Sequence, residues 1–506
     1  MKLKIFNTKV INFQVLDGYS SAFQPLLITF MAKVVTGLRL IAYFCKKIIQ
    51  MNRKLSFLPD DEPDELIRRY ESFLSNNAGS GYFDVEEMEH IVDYYLLKGR
   101  TREGSKALEL GFQLHPGSPG LLTKRAKIYL ASGNISKAYQ ILESSVNPHD
   151  YEVNLLKIEA LLRLDRNTDA RTIADKLSQT ESQDPDMICL DIAYIYLSNF
   201  DTTTAFVYLK KGEAFNPANN ELLYELAFCY EQQADTEQAI AIYNRILKAD
   251  PYSAEAWFNL GQIYFTALDF TNALFAYEYA QVIRPDDSLT VLQKAHSHFQ
   301  LLQFHEAIEE YLSYANMAAE HWQTWLFIGE CYERLELYNE GIIYYSRSLK
   351  EHDENYEALT GIAICLMEQE KFEDSIVFSR RALEIRNDSA DGWVYLAEGL
   401  IGIDQVDEAL KAYIQSIRLD PNQPETYMAI ANISMDKSEF RLALEYYKQA
   451  LELNNDSDLQ NIHLFMAVAY YNSNQMPAAL LALDKAMEEN LDALKVFKEL
   501  CPDADF

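Results

Sequence analysis

The chain has 506 residues, 49% of them hydrophobic, long enough for roughly three ordinary domains or for one extended repeat array. Only 18 glycines and 14 prolines disfavour sandwiches, barrels and low-complexity disorder, so helix is the expected element. Acids outnumber bases by 76 to 45, a net charge of −31, which should repel a phosphate backbone; nucleic acid is not an expected partner.

The first element, residues 1–50, departs from this charge balance. It carries seven bases (Lys2, Lys4, Lys9, Lys33, Arg39, Lys46, Lys47) against Asp17, a net of +6, and leaves −37 on the remainder. Pro25 to Phe44 is apolar, but Lys33 and Arg39 interrupt it, each costing about 2.5–3.5 kcal/mol near a bilayer centre. The longest charge-free run is too short to span, and the two internal charges spoil the order a secretory signal needs. Two readings stand: a basic anchor lying on an anionic membrane surface, or an over-extended start preceding a true Met51, where acidic, helix-favouring sequence begins.

Residues 51–84 then read as an acidic linker and an N-terminal capping helix. The run Asp60-Asp61-Glu62 is a solvated linker and helix-start signal, and Asp64 to Ser75 places Leu66, Ile67, Tyr70, Phe73 and Leu74 on one helical face. Residues 85–185 hold divergent repeats. One starts near Val85 (Tyr95, Gly104, Leu108, Gly111, Pro116), and one near Pro119 (Ala126, Tyr129, Gly133, Ala138, Leu142). An irregular unit over 151–185 carries Leu161, Ala170 and Ala174 but no small residue at its eighth position.

From 186 to 491 the array is regular. A small residue recurs every 34 positions as Ala193, Ala227, Gly261, Ala295, Gly329, Ala363, Ala397 and Ala431. Twelve positions after each come Ala205, Ala239, Ala273, Ala307, Gly341, Ser375, Ala409 and Ala443. Pro217, Pro251, Pro285 and Pro421 close units, since proline lacks the N–H a helix interior requires. Positions 4, 8 and 11 share one helical face, as do 20, 24 and 27, so each unit reads as two helices meeting at small side chains. A last unit from about Gln460 (Ala467, Tyr470, Ala479, Leu483, Ala486) precedes 492–506, where Asp492 to Leu500 reads as a C-terminal capping helix.

The segment Trp257-Phe-Asn-Leu260-Gly261-Gln-Ile-Tyr264, with Ala273, Tyr277, Ala280 and Pro285, follows the W-x2-L-G-x2-Y, A-x3-F, P pattern with Tyr for Phe, and so resembles the tetratricopeptide repeat. The resemblance implies an all-α, right-handed α-solenoid superhelix of about twelve helix-turn-helix units with helical caps, stabilised by stacking neighbours.

In that family the first helix of each unit lines an inner groove, with positions 2, 5, 9, 12 and 13 commonly facing the ligand. Carried onto this chain, the resemblance offers Tyr194, Tyr224, Phe228, Glu231, Gln232, Phe258, Gln262, Phe265, His296 and Phe299, then Glu330, Glu333 and Arg334. Such a groove, aromatic and then acidic, suits a protein or peptide with apolar anchors and basic residues. Aromatic residues at helical spacing also serve packing, so the cluster is better evidence than its members. The carboxylate clamp of co-chaperone members looks absent, because Leu190 and Tyr194, Tyr224 and Phe228, then Phe258 and Gln262 stand at its positions. The asparagine ladder of O-linked N-acetylglucosamine transferase has only Asn259 to match it.

Chemistry is not expected. His298 and His305 fall at packing and helix-start positions beside His296, so a metal site is disfavoured. The six cysteines form no C-x-x-C pair and suit a reducing, cytoplasmic setting. No phosphate loop, zinc-protease or nucleophile-elbow motif occurs. The expectation is a non-enzymatic scaffold or adaptor without cofactor. The alternatives are a membrane-surface assembly factor tethered by residues 1–50 and a non-catalytic regulatory subunit of a separate enzyme.

Overall fold

The computed structural model describes residues 65–76, 82–144, 149–180, 182–317, 321–453, 459, 461–490 and 492–504. The basic leader, Met51 and the Asp60–Glu62 run lie outside the described residues. Among those described there are 26 helices and no strand: the protein is all-α. No described helix is long and apolar enough to cross a membrane.

A capping helix, α1 (Glu65–Asn76), precedes twelve hairpins. They are α2 (Val85–Leu97) with α3 (Thr101–Leu114), α4 (Pro119–Ala131) with α5 (Ile135–Glu143), α6 (Tyr151–Arg163) with α7 (Asn167–Leu177), and α8 (Pro185–Ser198) with α9 (Thr202–Phe215). Next come α10 (Asn220–Gln232) with α11 (Thr236–Ala249), α12 (Ala254–Thr266) with α13 (Phe270–Ile283), α14 (Ser288–Gln300) with α15 (Phe304–Met317), and α16 (Trp322–Arg334) with α17 (Tyr338–Glu351). The last four are α18 (Tyr356–Glu368) with α19 (Phe372–Ile385), α20 (Ala390–Gly402) with α21 (Val406–Leu419), α22 (Pro424–Asp436) with α23 (Phe440–Leu453), and α24 (Ile462–Asn472) with α25 (Met476–Glu489). The closing helix is α26 (Ala493–Leu500). These helices form two compact units, one ending at Ile283 and one beginning at Arg284.

Local chemistry sets each hairpin. Asp84, Asp150, Asn219, Ser253, Asp287, Asn355 and Ser389 cap first helices by accepting backbone N–H bonds, and Asp84 completes a capping box with Glu87. Every first helix then ends on one left-handed residue: Gly99, Gly133, Asp165, Phe200, Ala234, Leu268, Leu302, Glu336, Glu370, Asp404, Ser438 and Asn474. The N–H after it reaches five residues back, as from Arg100 to Tyr95 and Asp269 to Tyr264, closing a Schellman turn. This residue stands at position 15 of each unit and acts as a ruler. Its spacing is 34 from Phe200 through Ser438, but 32 from Gly133 to Asp165, 35 onward to Phe200, and 36 from Ser438 to Asn474. The irregular unit is thereby resolved: position eight is Ile158, fully buried, with Ala170 and Ala174 facing it from α7.

Packing explains the small residues. Ala193, Ala227, Ala295, Ala363, Ala397 and Ala431 are all fully buried. At Gly261 an added Cβ would stand 2.6 Å from the Tyr277 ring, and at Gly329 2.7 Å from the Tyr345 ring, so glycine there admits the tyrosine of the second helix. Tyr243, Tyr277, Tyr311, Tyr345, Tyr413 and Tyr447 all occupy position 24 and are buried. α1 covers the first hairpin through Ile67 and Tyr70, and α26 covers the last through Phe497.

Candidate functional site

Four of the position-24 tyrosine hydroxyls reach back to positions 9 or 12 of their own first helix. Tyr243 donates to Glu231 (3.1 Å), Tyr345 to Glu333 (2.6 Å) and Tyr447 to Asn432 (2.6 Å), while Tyr311 bonds His296 Nδ1 (2.6 Å). The second helix thus orients side chains that the first presents.

In the unit ending at Ile283, the first-helix face begins with a charge cluster that the sequence reading missed. Lys124 on α4 lies 2.8 Å from Asp93 of α2 and 3.2 Å from Glu152 of α6; Lys127 pairs with the same two acids. Burial alone would depress Lys124, but Asp93 and Glu152 outweigh it and hold its pKa above the usual lysine value. Burial likewise pushes Glu152 up, and Lys127 and Lys124 bring it below the ordinary value. Asp93 and Glu152 are therefore paired within the chain, while burial still raises Glu89 beside them and Glu159 on α6 against the pull of Lys124, Arg163 and Lys127.

Further along the same unit, Tyr194 is buried and donates to Glu225, itself 1% exposed. Tyr224, half-buried, bonds Ser253 (2.7 Å). Phe228 is buried, and Phe265 lies edge-on to Phe270 at 5.2 Å. Phe258 and Glu231 keep partial exposure, and Gln232 is exposed. Gln262 is buried at 3% exposure, with its Nε2 unsatisfied.

In the unit from Arg284, His296 is 6% exposed between Tyr311 and Phe327, and burial depresses its pKa to about 4, so it is neutral. Phe299 is buried edge-on to Phe304. Beyond them the character changes. Glu330, Glu333 and Arg334 on α16 are partly exposed. Burial raises Glu330 against the pull of Arg334; burial also lifts Glu333 to about 7, with the Tyr345 bond opposing and Glu330 adding. Two acids of α20 extend the line: burial pushes Glu398 to about 8, assisted by Glu368 of α18, and raises Asp391, assisted by Asp420. These carboxyl groups thus keep some exposure while the surrounding protein desolvates them. Asp391, Glu398 and Glu368 stand at positions 2, 9 and 13, so extending the groove positions beyond Arg334 would have found them.

Among the described residues, no three His, Cys, Asp or Glu side chains gather as a metal site. Cys189, Cys229, Cys331, Cys365 and Cys501 are buried and unpaired.

Tetratricopeptide-repeat models match residues 220–263, 254–287, 292–353 and 424–457. With twelve capped hairpins in the repeat's register, the chain belongs to the tetratricopeptide-repeat proteins, whose fold generally serves as a non-catalytic scaffold for proteins or peptides. No curated protein matches the sequence. Similar solved structures include the Cut9–Hcn1 hetero-tetramer of the APC/C, at 14% identity over 82% of this chain and 99% of that one, TM-score 0.36. MamA is 19% identical over 35% of this chain and 95% of its own, TM-score 0.32. YrrB, described as a tetratricopeptide-repeat protein with an unusual peptide-binding site, is 14% identical over 41% and 97%, TM-score 0.31.

Proposed function

We propose that the protein is a non-enzymatic scaffold or adaptor that holds a partner protein segment along its first helices, through apolar anchors and lysine or arginine side chains. The observation that carries this reading is the raised carboxyl line Glu330, Glu333, Asp391 and Glu398: Arg334 lies beside the first two, and among the described residues no pair of buried lysines joins it as Lys124 and Lys127 join Asp93 and Glu152. Carboxylates desolvated without enough cations are strained when ionised, and a guest ammonium or guanidinium relieves that strain. Tyr224, Glu231 and Phe258 extend the same chemistry in the other unit. Tyr194, Phe228, Gln262, Phe265, His296 and Phe299 act beneath the surface, setting the shape of the face. The cysteines support a non-catalytic, reducing setting: burial pushes Cys189 to about 11 and Cys229 to about 12, so neither is a thiolate nucleophile at neutral pH.

The test is titration calorimetry with an extended peptide of alternating leucine and lysine. Binding should release protons and tighten as pH rises toward 8, because the ammonium favours the ionised carboxylates. Glu330→Gln, Glu333→Gln and Glu398→Gln together should weaken it about tenfold or more. Unchanged affinity in that variant, or equal affinity for a glutamate-for-lysine peptide, refutes the reading.

A further inference from the structure

The repeats provide an internal control for their own surface. Positions 22, 26 and 29 form one stripe of each second helix, at i, i+4 and i+7. Position 26 carries Lys176, Lys211, Arg245, Arg347, Arg381 or Lys485 in six repeats. In α11, the second helix of the preceding hairpin, the stripe reads Ala241, Arg245, Lys248. In α13 it reads Phe275, Tyr279, Val282, and these are 50%, 46% and 80% exposed.

The stripe is organised. Trp257 of α12 stacks on Tyr279 with centroids 4.6 Å apart, Phe275 meets Tyr279 at 4.8 Å, and the Trp257 indole N–H is tied to the Pro251 carbonyl at 2.9 Å. The opposite face of α13 is already used, since Ala273, Ala276, Tyr277 and Ala280 are buried against the array. α13 is thus apolar on two faces, and only one is needed for stacking. Charge says what the other takes. Between Lys248 and Arg284 there is no lysine or arginine, while Asp250, Glu255, Asp269 and Glu278 are present. In the hairpin at α16 and α17, the comparable rings are covered from within: the Arg347 guanidinium lies 5.5 Å over Trp325 and 4.7 Å over Tyr344.

We infer that the Phe275–Tyr279–Val282 stripe with Trp257 is a second docking surface, separate from the first-helix face, and that it takes an amphipathic helix of a partner protein carrying leucine-like anchors and arginine. The anchors cover Phe275 and Val282, and the guanidinium stacks on Tyr279 and Trp257 beside Glu278, the arrangement Arg347 makes internally.

The probe is a fluorescein-labelled helical peptide with leucine at i, i+3 and i+7 and arginine at i+4 and i+8, beside a glutamate-for-arginine copy. Phe275→Ala, Tyr279→Arg and Val282→Lys together import the α11 stripe, which the array already tolerates. This variant should keep its circular dichroism and bind the arginine peptide at least about tenfold more weakly. Val282→Lys alone, at a site 80% exposed, should weaken it about threefold and guards against misfolding of the triple variant. The inference falls if the variants bind as the wild type does, if the glutamate peptide binds equally, or if sedimentation shows a wild-type dimer that the triple variant loses. Loss only in the Glu330→Gln, Glu333→Gln, Glu398→Gln variant would also overturn it while leaving the first-helix reading intact.

Discussion

The first-helix face treats buried charge in two ways. On α2, α4 and α6, Asp93 and Glu152 share Lys124 and Lys127 in ion pairs made within the chain. On α16, Glu330 and Glu333 are desolvated beside Arg334, and on α20 Glu398 is desolvated beside another acid, Glu368; the pKa values of all three rise. Asp93, Lys127, Glu330 and Glu398 all occupy position 9. One scaffold position thus serves as an internal strut or as an open socket, according to what stands one repeat away. A compensated cluster contributes rigidity, whereas an uncompensated one is costly in the free protein and available to a guest.

The comparison breaks most severely at the strut. Asp93→Ala removes one of the two acids that hold Lys124, whose side chain is only 7% exposed, and leaves both lysines to Glu152; it should cost about 1–3 kcal/mol, read as lost hydrogen-exchange protection across α2, α4 and α6. Protection lost equally across α16 to α20 would contradict the two-way division.

The socket should respond to pH with the opposite sign to an ordinary ion pair. Glu333 and Glu398 have folded pKa values of about 7 and 8, above the ordinary 4.5, so the folded unit binds more protons than the unfolded chain between those limits. Its stability is fully present below about 4.5 and falls as pH rises through 8, by about 1–3 kcal/mol for residues that keep some solvent access. Denaturation followed by tryptophan emission at pH 5 and pH 8.5 measures this, and Glu398→Gln should flatten the slope.

A smaller effect sharpens the contrast. Glu398→Lys imports into α20 the residue type that Lys127 places at position 9, and should stabilise the second unit by about 1 kcal/mol at pH 8 while abolishing lysine-peptide binding. Stabilisation without loss of binding would separate the strain from the socket.

The smallest effect tests the hairpin ruler apart from either charge cluster. Leu268 has φ +62° and is 58% exposed, so Leu268→Gly should relieve the left-handed strain at little contact cost, raising stability by about 0.5–1 kcal/mol.

Much of the hairpin array was legible from side-chain size alone. Helices approach closely where a small residue, Ala, Gly or Ser, stands at positions 8 and 20, so the 34-residue recurrence through Ala193, Ala227 and Gly261 marks the stacking. It faded at Ile158, where a large side chain took the place of a small one and the period changed to 32 and then 35, so the turn residue Asp165 rather than composition locates that unit. The face was legible by position but not by exposure: Tyr194, Phe228, Gln262, Phe265, His296 and Phe299 stand at groove positions and are nonetheless buried. Their neighbours above and below decide that, and no spacing rule within one repeat reports them.

The sequence by itself determined that twelve helical hairpins form and where most of them turn, because caps, small residues and prolines act over a few bonds. Only the tertiary structure decided which acids find a cation and which aromatic rings stay wet. Lys124 meets Asp93 and Glu152 about one repeat away on either side, while Phe275 and Tyr279 pack on each other and on Trp257 of their own hairpin. Charge compensation and burial depend on distances between helices that are neighbours in space through stacking rather than adjacent along the chain.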